Sequence, residues 1–198
     1  MGIEEQESLL HWNYFLAIES DLEKVSRYIE FTQDNFDVYS IELTHLLLAS
    51  ASEVDVVAKG ICRFLVRGNR AQSINGCRTT ITEHLPLFVR EQVFVPRYNL
   101  SLSPWSNWEN DENQNPLWWR SYNSVKHQRQ DHFKDANLKN VLNSVAGLLI
   151  SVFYFYKLKF EAENKPIENI RDVNEILKPA ASFLSLKDDY YYGRMLLE

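Results

Sequence analysis

Apolar residues recur at helical spacing from the start of the chain. Leu9, Leu10, Trp12, Phe15, Leu16, Ile18, Leu22, Val25, Tyr28 and Ile29 line one side of a helix drawn through residues 4–31. Acidic residues gather early in that stretch, and Lys24 and Arg27 come late, the order the helix dipole favours. "FTQDNFD" then reads as a connection. A second long helix is expected over 40–67. Its cap is Ser40, its buried face runs from Leu43 to Leu65, Asp55 and Lys59 pair one turn apart, and Gly68 terminates it.

The pattern then changes. "SING" reads as a turn, and residues 69–115 mix short apolar runs with Pro86 and Pro96 before the polar, Asn-rich "NLSLSPWSNWENDENQNP". This predicts a short helix or two and a long irregular loop, pinned to the body by Trp105, Trp108, Trp118 and Trp119. A third helix is expected from Pro116, capped by Asn115, to about Arg129. A fourth runs from about Asp135 to Lys165, where Pro166 stops it. Its stretch 141–158 is strongly apolar, but the uninterrupted part is about a dozen residues, short of the roughly 20 that span a bilayer, so it reads as the central buried helix. After it come a short helix at "IRDVNEILK" and the aromatic "DDYYYGRMLLE". The fold class that follows is all-α: an up-and-down bundle of four long helices over 1–166, with a loop insertion before the third, and a tail over 167–198 holding a short C-terminal helix.

Composition narrows this picture. Aromatic residues make up 13% of the chain, enough bulky surface for a sizeable core. Six Gly and six Pro are too few for an all-β sandwich. Net charge is −6, so a general nucleic-acid binder is disfavoured and any such role must rest on a local cluster. The same charge, with no basic amphipathic helix, argues against a membrane-surface partner. Two cysteines make no secreted disulfide framework, and the acidic first ten residues lack a basic signal-peptide start, so a cytoplasmic location is expected.

"NPLWWRSYNSVKHQR", residues 115–129, supplies the local cluster. Arg120 and His127 lie seven apart, about 700° of helix rotation, so they share a face, with Asn123 and Ser124 between them. An imidazole serves as acid or base near neutral pH, and a guanidinium holds a phosphate by paired hydrogen bonds. Together they suffice to cleave an RNA phosphodiester without a metal, the RNA's own 2′-hydroxyl acting as nucleophile.

This stretch resembles the HEPN superfamily, whose members carry an Arg, four to six residues and a His near the start of a late helix. Arg120 and His127 fit the six-residue form, in a setting of a preceding long loop and a following apolar helix, and the resemblance covers about residues 5–165. It implies a homodimeric, metal-independent endoribonuclease of a toxin or phage-defence setting, with RNA as substrate and an antitoxin or other protein as partner. Arg120 would hold the scissile phosphate, His127 act as acid or base, Asn123 orient substrate and Lys126 assist electrostatically. The rival expectation is a non-catalytic HEPN-like module for dimerisation or protein or nucleotide binding. Here Asn123 and His127 form a paired polar layer and Arg120 faces an acid such as Glu53, which sits beside small residues Ala49, Ala51 and Ser52.

Arg78 and His84 also match the motif with five residues between, but "RTTITEHLP" with its three Thr makes a poor helix, and six residues leave the pair about 120° out of register. Ser121 follows Arg120 where family members often carry Asn, Asp or His. His11, His45, His84 and His132 have no metal-ligand spacing with Cys62 or Cys77, and there is no glycine-rich phosphate loop, so no metal or cofactor is expected.

Overall fold

The computed structural model describes residues 8–110, 114–167 and 170–186. They form α1 (Leu10–Val25), α2 (Ile41–Leu65), α3 (Ile74–His84), α4 (Asn107–Asn110), α5 (Leu117–His127), α6 (Arg129–His132), α7 (Leu138–Ala162) and α8 (Ile170–Ile176), with strands β1 (Val93–Val95), β2 (Leu100–Leu102) and β3 (Ser185–Leu186). The chain is predominantly helical, and the strands correct the all-α expectation.

The two 25-residue helices, α2 and α7, pack along each other and form the axis of the fold. Small residues bring them together. Ser50 and Ser144 share a buried hydrogen bond of 2.7 Å between the helices. At Gly60 a Cβ would lie 2.6 Å from the Phe155 ring, so only glycine fits there without moving the aromatic. Helix α1 lies against both, burying Trp12, Phe15, Ile18 and Leu22. Helix α7 is the one described helix long and apolar enough to cross a membrane, and 78% of that apolar window is buried inside the fold. This is the buried central helix expected for 141–158.

Three helix starts are held by side-chain caps. Ser40 accepts from the Leu43 amide, Ser73 from Gly76 and Asn137 from Asn140. The Ser73 cap shows that "SING" opens α3 and is not a turn between loops. Helix α5 begins at Leu117 with Pro116 in the cap position, one residue later than expected, and the fourth long helix starts at Leu138.

The segment between α3 and α5 is less irregular than expected. β1 pairs antiparallel with β2 (Val93 opposite Leu102, Val95 opposite Leu100) and with β3 (Val93 opposite Leu186), giving the order β2-β1-β3. Asn99, at φ +52°, closes the turn between β1 and β2 in the left-handed conformation that Asn tolerates. The expectation of a pinned loop holds. Trp118 Nε1 donates to the Pro104 carbonyl at 2.9 Å, Trp105 Nε1 donates to the Gly147 carbonyl at 3.3 Å, and the Trp105 ring packs edge-on against Trp118 and tilted against Trp108 and Phe88. Gly147 leaves room for this, since a Cβ there would lie 3.1 Å from Trp118.

The described part of the tail joins the same body. α8 is the short helix expected at "IRDVNEILK", and β3 follows it. The buried Glu19 carboxylate of α1 accepts the amides of Ser182, Phe183 and Leu184. Desolvation raises its pKa above the ordinary value, and those three amide bonds oppose the rise. The "DDYYYGRMLLE" stretch lies outside the described residues.

Candidate nucleic-acid interface

Helix α5 has two unlike faces. Trp118, Trp119, Ser121, Tyr122 and Val125 are buried, and Arg120, Asn123, Lys126 and His127 are exposed. The tryptophan anchors described above fix the first face, so the second is held on a rigid element. Ser121 takes part in this anchoring. Its Oγ accepts from Asn140 Nδ2 at 3.0 Å, and the same amide donates to the Asp135 carbonyl. The residue after Arg120 therefore ties α5 to the start of α7.

Along the exposed face, Arg120, Asn123 and His127 form an edge. Their side chains make no hydrogen bond or ion pair with any other described residue. The edge separates two grooves. One, with a cavity of about 350 Å³, is lined by Arg120 with Lys139, Asn140 and Asn143 of α7 and by Ser103, Pro104, Ser106 and Asn107. The other, of about 250 Å³, is lined by Asn123 and Lys126 together with Asp55 of α2, Gln72 to Asn75 at the start of α3, and Asn115. Lys126 Nζ also lies over the Tyr122 ring and donates to its hydroxyl at 3.3 Å. The structure thus places Arg120 in one groove, Asn123 and Lys126 in the other, and His127 on the edge.

The local charge is opposite to that of the chain. Residues 114–143 hold five Lys or Arg against two Asp. Arg129, Lys134 and Lys139 extend the exposed basic surface beyond α5. A phosphate-bearing ligand therefore meets positive charge here although the whole chain is at −6.

Glu53 does not join this site. Its carboxylate pairs with His11 Nδ1 of α1, against Phe155 and Tyr156 of α7. Two residues along a helix is about 200° of rotation, so Asp55 faces α5 where Glu53 faces away. The acid that α2 offers to the α5 side chains is Asp55, itself paired with Lys59 as expected. Asp55, Gln72, Asn75 and Asn115 were missed because they come from three separate segments. A signal existed in Asn115 at the end of the Asn-rich stretch and in Asn75 of "SING", both of which line the groove.

The competing Arg78–His84 pair is helical after all, since α3 spans Ile74–His84 in spite of its three Thr. Thr82 satisfies its hydroxyl on the Arg78 carbonyl, which lets it sit in the helix. The His84 ring is taken up by the Thr80 carbonyl at 2.9 Å. Register and ring occupancy therefore distinguish the two motifs, and helical context does not.

The chain matches no family model, no curated protein and no solved structure.

Proposed function

We propose that the chain is a metal-independent endoribonuclease of HEPN type, acting as a homodimer in which two α5 edges face each other. The observation that carries this reading is the unpaired Arg120–Asn123–His127 edge on an anchored helix, with Lys139 beside Arg120 in the same groove. Side chains kept exposed and uncommitted on a rigid element suit contact with a ligand better than support of the fold.

In this reading Arg120 and Lys139 hold the non-bridging oxygens of the scissile phosphate. The substrate's 2′-oxygen attacks phosphorus and its proton passes to one His127. The bond from phosphorus to the 5′-oxygen breaks, and the leaving oxygen takes a proton from the partner copy's imidazole. The products are a 2′,3′-cyclic phosphate and a 5′-hydroxyl. Such an enzyme in the cytoplasm needs a restraining partner, which fits the toxin or phage-defence setting that the resemblance implies.

The test is cleavage of a mixed RNA pool in EDTA by the wild type, Arg120→Ala and His127→Ala, with folding followed by circular dichroism. EDTA-resistant cleavage that both folded variants lose supports the reading. A folded, dimeric wild type that leaves the pool intact transfers the weight to the non-catalytic binding module.

A further inference from the structure

We propose that the groove between α2, the start of α3 and α5 is a subsite for a single nucleobase, and that the base it selects is guanine. This deepens the RNA reading, and rests on it only for the chain to which the base is attached.

The lining is unusual for a crevice between helices. Gln72, Asn75, Asn115 and Asn123 bring four carboxamides to one cavity, with the Asp55 carboxylate and the Lys126 ammonium. Carboxamides and carboxylates are the groups that read base edges. The volume, about 250 Å³, lies below the ~300–1,000 Å³ of sites that hold a drug-sized ligand, so it suits one base. Trp119 and Tyr122, both largely buried, contribute the apolar part of its lining.

The pattern of donors and acceptors chooses among bases. Asp55, which lines the groove, only accepts, and Lys59 pairs with its Oδ2, while its Oδ1 takes no hydrogen bond from another described residue. Asn115 donates to Asn75 Oδ1 at 2.6 Å, while its own Oδ1 is buried and accepts nothing. A buried acceptor without a donor is costly, and a ligand donor relieves it. The groove therefore offers two acceptors without donors, on Asp55 and Asn115, and supplies a cation and an amide for one ligand acceptor. Guanine presents N1–H and the N2 amino group next to O6. Adenine and cytosine each present one amino donor on that edge, and uracil presents one N–H between two carbonyls. N1–H and N2 would meet Asp55 and Asn115, and O6 would meet Lys126 or Asn123.

The neighbouring edge fits this placement. Asn123 lies between the groove and the Arg120–His127 line on α5, so a base seated here leaves its phosphate near that line.

The experiment uses 2′-O-methyl hexauridine and its three relatives carrying one central G, A or C, which cannot be cleaved by 2′-oxygen attack. Binding to the full chain is read by fluorescence anisotropy, and guanosine, adenosine, cytidine and uridine 5′-monophosphates are titrated in parallel by tryptophan quenching. The G-bearing oligomer is expected to bind about tenfold more tightly than the others. Asp55→Asn and Asn115→Ala should each remove that preference, and Arg120→Ala should weaken all four oligomers alike while keeping it. Equal binding of the four oligomers overturns the guanine subsite and leaves the phosphate contacts standing. A guanine preference that survives both Asp55→Asn and Asn115→Ala also overturns it. Selective binding of the guanosine monophosphate with no oligomer bound keeps the subsite and removes the RNA reading. Binding of neither removes both.

Discussion

Helices α3 and α5 are each 11 residues long, and each carries an arginine followed by a histidine. In α5 the two are seven apart and nearly in register, and both side chains are exposed and uncommitted. In α3 they are six apart, about 120° round the helix, and the imidazole bonds back to its own helix. One residue of spacing separates two side chains that can reach a common ligand from two that cannot. The buried faces differ as well. α3 is held by Ile74, Cys77 and Ile81, α5 by Trp118, whose indole N–H donates to the Pro104 carbonyl, with Trp119, Tyr122 and Val125.

The sharpest break of this comparison is catalytic. His127→Ala is expected to lower RNA cleavage by about 10²–10⁴-fold, the usual contribution of a positioned acid or base, and Arg120→Ala by about 10²–10³-fold. His84→Ala and Arg78→Ala should leave the rate within about twofold, since neither reaches the α5 edge. Equal losses from both pairs would show that the α5 edge is not the site.

Next comes the anchoring. Trp118→Ala empties a buried indole site and is expected to cost about 3–5 kcal/mol in urea unfolding. Ile81→Ala on α3 removes fewer atoms and is expected to cost about 2–4 kcal/mol. The first should also reduce cleavage per folded molecule, because α5 loses its fixed position, and the second should not. A folded Trp118→Ala protein with unchanged cleavage would mean that the edge does not depend on its anchor.

A smaller effect is expected at Ser121, the position where the sequence departs from the HEPN pattern. Ser121→Ala leaves one N–H of Asn140 without its acceptor while the other keeps the Asp135 carbonyl, so the expected cost is about 1–2 kcal/mol with cleavage unchanged. A loss of cleavage without a loss of stability would give Ser121 a role at the phosphate.

Much of this frame was legible in the sequence. The periods of α1, α2 and α7 exceed four turns, long enough for the 3.6-residue pattern to show, and Ser40 was visible as a cap. The exposed residues of α5 were legible because their register follows from spacing alone. The strands were not, because each has two or three residues, too few for alternation to show, and β3 joins β1 from about ninety positions away. α3 was obscured by its three threonines, of which Thr82 bonds its hydroxyl back to the helix instead of opposing it. The small neighbours Ala49, Ala51 and Ser52 point to Glu53, but the rotation of α2 about its axis is set by packing. His11 and the Phe155 ring settle it, and neither can be placed from local sequence.

A pH–rate profile for cleavage reports the acid–base group at the scissile bond only where the fold is insensitive to pH, and Glu19 makes the fold sensitive. Burial raises its pKa in the folded chain above the ordinary carboxyl value near 4.5. Between that value and the raised one, the folded chain binds more protons than the unfolded chain. Stability then falls as pH rises, fully present below the unfolded pKa and lost through the folded one. Glu19→Gln keeps an oxygen for the Phe183 and Leu184 amides, gives up the Ser182 bond and cannot ionise. Urea unfolding from pH 4.5 to 7.5 should therefore show a shallower decline for Glu19→Gln than for the wild type, with the two curves converging toward neutral pH. A wild-type curve no steeper than that of the variant would mean that the three amide bonds outweigh burial. The same variant gives the cleaner pH–rate profile, because neither α1 nor the 182–184 segment that Glu19 holds lines the grooves at the α5 edge.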